Sequence, residues 1–148
     1  MGLIDYLDRK RAAVAALRDY EDMRWKMERA GSVIEAANDR MTSLPSMSSG
    51  VSVQGGESGR QGLLDSQIDR KRAAEHGLRC AQEYFREFIP AWERLTPQEQ
   101  ALLRLRYVEY PRDSRWVDVV RKRYNIERSE AYRRSDEALD RLAKLMFW

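Results

Sequence analysis

The chain has 148 residues, 34% of them charged and 43% hydrophobic, with a net charge of +3. That is room for one domain or two small ones, with a core under a heavily charged surface. A single cysteine, Cys80, excludes an intramolecular disulfide framework or a Cys-rich zinc site, and no apolar run approaches the ~20 residues of a membrane span. The first residues, Met-Gly-Leu-Ile-Asp, lack the basic flank and apolar stretch of a signal peptide. The expectation is a soluble, intracellular chain. Its charge is uneven: residues 94–148 carry 13 Lys/Arg against 9 Asp/Glu, and residues 1–93 carry 14 against 15. A basic final third suits a polyanion-binding module, although a solvated helix surface gives the same arithmetic.

Residues 3–41 read as one long helix. Leu3, Leu7, Val14, Leu17, Met27, Ile34 and Met41 recur near helical spacing, and Gly31-Ser32 is the expected place for a bend. Residues 42–62 hold five of the eight Gly, six Ser and one Pro without apolar periodicity, and predict a flexible loop. A second helix is predicted from about Leu63 to Arg94. Its stripe runs through Leu64, Ile68, Ala73 or Ala74, Leu78, Ala81, Tyr84 or Phe85, and Phe88; Asp65 or Ser66 would cap it and Pro90 would kink or end it. These two helices predict an antiparallel hairpin over residues 1–94, which serves assembly or partner contact, and their narrow stripes suit a homodimer seam equally well.

The remainder, 95–148, predicts a second domain. Thr96-Pro97-Gln98-Glu99 spells a capping box with proline at the first helical position. The helix it opens, Pro97–Tyr107, presents Leu102, Leu103, Leu105 and Tyr107, and Tyr110–Ser114 breaks it. A short helix, Arg115–Tyr124, turns Trp116, Val119 and Val120 inward. After the tight turn at Asn125–Arg128, a last helix from Arg128 or Ser129 buries Ala131, Ser135, Ala138, Leu139, Leu142 and Met146.

A short helix, a tight turn with one apolar residue and a helix with a basic first half describe a helix-turn-helix. Ile126 would plug the interhelical angle, Ala131 is small at the crossing, and Asn125 tolerates a left-handed turn. Arg128, Ser129, Tyr132 and Arg133 then project from the recognition helix, where arginine can pair bidentately with guanine. Arg121, Lys122, Arg123 and Arg134 are the candidates for phosphate contact.

The segment LTPQEQALLRLRYVEY and WVDVVRKRYNIERSEAYRRSDEALDRLAKL resembles the region 4 helix-turn-helix of sigma factors. It resembles still more the phage and prophage transcriptional regulators of the ArpU and RinA type. Arg106-Tyr107 stands where those regulators end the first helix, Tyr132-Arg133 matches the aromatic-Arg pair of their recognition helix, and Ala138-Leu139 matches the following pair. The resemblance is specific over about residues 95–145 and architectural before that. Asn125 stands where related turns have Gly, and Glu127 where they cap with Ser, which makes Ser129 the alternative cap. The resemblance implies an activator of phage late genes in the cytoplasm of a bacterial host, with double-stranded DNA and host RNA polymerase as partners. A small terminase-like packaging subunit, forming a ring, is the alternative that combines the same parts.

Other chemistry finds little footing. His76 and Cys80 lie i,i+4 on a helix, but two ligands do not close a metal site and the chain has no other histidine. No Gly-rich phosphate loop follows a strand, the carboxylates are scattered among Lys and Arg, and neither an enzyme nor a cofactor is expected. The terminal Leu145-Met146-Phe147-Trp148 would pack back onto the hairpin or mark an interaction surface.

Overall fold

The capping box forms as its residue types require. In a computed structural model, which describes residues 3–43 and 56–147, the Glu99 amide donates to Thr96 Oγ1 at 3.2 Å. The Thr96 amide donates to Glu99 Oε1 at 3.0 Å. Helices joined by short turns make up nearly all of the described residues, with no strand among them, and the fold is all-α. In chain order the helices are α1 (Leu3–Arg18), α2 (Tyr20–Thr42), α3 (Gly56–Glu93), α4 (Pro97–Arg104), α5 (Arg115–Tyr124) and α6 (Arg128–Phe147). A π-helical turn, Leu105–Glu109, extends α4, with the Tyr110 amide donating to the Leu105 carbonyl at 2.9 Å. No helix among the described residues is long and apolar enough to cross a membrane.

Several boundaries differ from expectation for identifiable reasons. The first helical run is interrupted at Asp19, and it passes straight through Gly31-Ser32. The Tyr84 hydroxyl donates to the Ala16 carbonyl at 2.5 Å, competing at the interruption for an acceptor of the helical ladder. A Cβ added at Gly31 would meet nothing within 4 Å, so no close approach calls for glycine there. α3 starts at Gly56, before Asp65 or Ser66 could cap it, so residues 56–62 of the expected loop are helical. Adding residues to a formed helix is far cheaper than nucleating one, and Gln61 Nε2 donates to Asp65 Oδ1 at 3.0 Å, an i,i+4 pair that supports this first stretch. At the other end of the expected loop Thr42 closes α2, and residues 44–55 lie outside the described residues. α3 also continues past Pro90 to Glu93.

Two compact units divide the chain, and they do not follow the expected boundary at 94/95. One unit comprises residues 1–23 and 83–148, the other residues 24–82. In the first unit, Ala13 and Leu17 of α1, Phe88 and Ala91 of α3, Leu103 and Tyr107 around α4, and Leu139 and Leu142 of α6 form one buried cluster. Leu145, Met146 and Phe147 pack against it, so the described part of the apolar terminus folds back. A second cluster, Leu102, Leu105, Trp116, Val117, Val120 and Ala131, joins α4, α5 and α6. Val117 is buried where Val119 was expected; Val119 packs half-exposed beside it. Among the described residues of the second unit the buried ones are alanines, Ala30, Ala37 and Ala81, while Trp25, Met27 and Leu63 are exposed. Leu7 of the first unit, also expected on a buried stripe, is exposed as well.

Candidate nucleic-acid interface

Local chemistry sets the geometry of α5, the turn and α6. Asp113 accepts from the Arg115 amide at 2.9 Å and from Arg115 Nε at 3.0 Å, starting α5. Trp116, Val117 and Val120 face inward, which leaves Asp118, Arg121, Lys122 and Arg123 exposed. Asn125 ends the helix in the left-handed region (φ 52°, ψ 54°), the one positive φ of a non-glycine residue among the described residues. Ile126 then packs on the second cluster, and Ala131 is completely buried where α6 meets it. The Glu127 carbonyl accepts from the Ala131 amide at 3.0 Å, so α6 begins at Arg128 and Ser129 lies inside its first turn.

The eight sequence-predicted residues separate into three groups. Arg121, Lys122, Arg123 and Arg128 are exposed, and none forms an ion pair with a described residue. Arg121 and Lys122 border an open depression of about 520 Å³ together with Asp118, Asn125, Ile126 and Glu127. Ser129 is exposed on the first turn of α6. The second group, Arg133 and Arg134, is engaged with carboxylates of the same helix. Arg133 Nε donates to Glu130 Oε2 at 2.8 Å, its Nη2 to Glu130 Oε1, and its Nη1 to Glu137 at 2.6 Å. Arg134 Nε donates to Glu130 at 2.9 Å. Hydrogen bonds from these two guanidinium groups hold the Glu130 carboxyl down at about 2, and Glu130 and Glu137 raise Arg133 in turn. Tyr132 is the third case. It is half-buried, edge-on to Trp116 at 5.0 Å, with the Arg128 guanidinium 5.7 Å from its ring.

Arg106 matters here more than its place in a motif suggested. Its guanidinium lies 5.0 to 5.4 Å from the rings of Tyr107, Trp116 and Tyr132. It donates to Ser135 Oγ at 3.0 Å and to Asp136 Oδ1 at 2.9 Å. Ser135 is wholly buried, and this bond satisfies its hydroxyl. The π-helical turn is thereby fastened to α6 beside Tyr132 and Arg133. The periodicity that placed Ser135 on the buried face carried a signal of this partner, because a buried hydroxyl demands one.

Away from this region, His76 Nε2 and Cys80 Sγ are 3.6 Å apart, and no group of three or more metal-ligating side chains occurs among the described residues. Comparison of the chain with family models, curated proteins and solved structures finds no match.

Proposed function

We propose that the chain is a sequence-specific DNA-binding transcription regulator that reads duplex DNA with α5, the Asn125 turn and α6. The observation that carries this reading is the set of unpaired cations, Arg121, Lys122, Arg123 and Arg128, around a left-handed turn that leads into the amino terminus of a long helix. Cations so placed neutralise phosphates, and a helix amino terminus adds its own positive end. Ser129 and Arg133, four residues apart, share one face of α6 and supply base contacts, with Arg128 beside them. Tyr132 sets the position of Arg128 more than it offers its own ring. Arg133 and Arg134 must exchange Glu130 and Glu137 for nucleic acid. A site that gives Arg133 a bidentate guanine offsets this loss, and one that does not is penalised. The activator role at phage late promoters, contact with host RNA polymerase and the homodimer rest on the family resemblance and on the helical stripes.

The test is affinity for a selected site and for random duplex as a function of salt. Both should fall linearly on a log–log plot, and Lys122→Ala should lower either slope by about one. Arg133→Ala should weaken the selected site about tenfold while leaving random duplex nearly unchanged. Binding that is absent at low salt, or indifferent to salt, overturns the proposal.

A further inference from the structure

The compact unit of residues 24–82 carries an apolar groove of about 300 Å³ between α2 and α3. Trp25, Val33 and Leu78 give it large apolar sides, and Ala30, Ala74 and Gly77 give it depth through their small size. Trp25 is 55% exposed, with the Arg29 guanidinium 6.0 Å from its ring centroid, so an apolar face and a cation stand side by side at the groove. Gly77 is helical, and a Cβ placed on it would meet nothing within 4 Å, so the depth there is real space. The charges at the rim have one sign. Lys26, Arg29 and Arg70 border the groove and no carboxylate does. The nearby Glu28 and Glu75 are turned to Arg24 (3.1 Å) and Lys71 (4.0 Å) of their own helices.

We infer that this groove docks an acidic amphipathic helix of a partner protein, whose apolar face seats one or two large side chains between α2 and α3 while flanking Asp or Glu side chains meet Arg29 and Arg70. The volume sits at the bottom of the ~300–1,000 Å³ range of small-molecule pockets, which suits anchor side chains better than an entire ligand. A cleft between two helices is the shape that accepts a third as a helix in a groove. Charge favours an acidic partner over a second copy, because the lining contributes Arg29 and Arg70 and no carboxylate, and the neighbouring Glu28 and Glu75 are already paired within their own helices. The inference is independent of DNA reading, which uses residues of the other compact unit.

The test pans a library of random 16-residue peptides against the full chain, then measures each selected peptide by titration against the wild type, Gly77→Leu and Arg70→Glu. Gly77→Leu fills the groove while raising helix propensity, and Arg70→Glu reverses the rim at an exposed position; circular dichroism verifies that both stay folded. Selected peptides should combine Asp or Glu with large apolar residues at helical spacing, and should lose at least tenfold in affinity for each variant. Salt-dependent binding to duplex DNA should stay as in the wild type. Peptides without acidic enrichment, equal affinity for all three proteins, or no selected peptide at all would overturn the inference. So would a concentration-dependent dimer that Gly77→Leu abolishes, which would assign the groove to a second copy, or binding to anionic vesicles lost in the same variants, which would assign it to a lipid surface.

Discussion

Arg106 shows how one side chain can fix a helix end. Its guanidinium lies among three aromatic rings, and one nitrogen, Nη1, donates to both Ser135 and Asp136. Arg106→Ala leaves the Ser135 hydroxyl buried without this donor, so urea unfolding should show a loss of about 2 kcal/mol, the cost of an unsatisfied buried group. Arg106→Lys should recover only part of it, because an ammonium can donate to Ser135 but has no planar face to lie against the three rings. Glu130 acts at the opposite, exposed side of the same helix. Its folded pKa, about 2, lies below the ordinary 4.5, chiefly through the hydrogen bond from Arg133 and then that from Arg134. A depressed carboxylate contributes stability above its unfolded pKa and loses it as pH falls through the folded one. The helical signal at 222 nm should therefore decline between about pH 4.5 and 2 in the wild type by more than in Glu130→Gln. Equal declines would show that the Arg133 and Arg134 pairs contribute nothing to the helix.

Among the elements, the turn between α5 and α6 is governed by a single backbone requirement. Asn125 sits at φ 52°, a region costing an ordinary residue roughly 1–2 kcal/mol and a β-branched one more. Asn125→Val should lower stability by about 2 kcal/mol or more in urea, whereas Asn125→Gly should leave it within a few tenths. A small effect of valine would mean that the turn relaxes to another conformation. This turn and the capping box were legible in the sequence because each is local, with a few adjacent residue types dictating a backbone state. The buried faces of α4 and α6 were legible for the related reason that helical periodicity reports burial directly. What escaped was set by side chains distant in sequence or by context. The break at Asp19 lies beside the Ala16 carbonyl, which accepts from the hydroxyl of Tyr84, 68 positions further along the chain than Ala16. The Gly-rich residues 56–62 joined α3 because a formed helix extends cheaply. In the candidate site, Arg121, Lys122, Arg123 and Arg128 lie as exposed as their spacing suggested. The engagement of Arg133 by Glu130 and Glu137 needs rotamers that no residue pattern announces.

For the whole molecule, the decisive fact is that one compact unit is assembled from both ends of the chain. Leu103, Tyr107, Leu139 and Leu142, the inner faces of α4, of the π-helical turn that extends it and of α6, are covered by Ala13 and Leu17 of α1 and by Phe88 and Ala91 of α3. Tyr6 and Lys10 add polar contacts from α1 to Asp140 of α6, at 2.7 and 3.5 Å. A fragment starting at residue 95 retains only the second cluster as a complete core, six residues around Trp116, which is a small core for an independent fold. Residues 95–148 alone should therefore be partly helical and unfold without a cooperative transition. Residues 83–148 should gain helicity and melting temperature when a peptide of residues 3–23 is added, in proportion to its concentration, because a ligand of the folded state stabilises by mass action. The same geometry bears on assembly. Residues 1–94 expressed alone would bare Leu17, Phe88 and Ala91, and self-association of that fragment would report the exposed core instead of a native dimer seam, so oligomeric state must be measured on the full chain. If residues 95–148 instead melt cooperatively at the temperature of the intact protein, the cluster around Trp116, Val117 and Val120 suffices by itself. Covering by α1 would then be dispensable, and α4 to α6 would form an autonomous unit that α1 merely overlies.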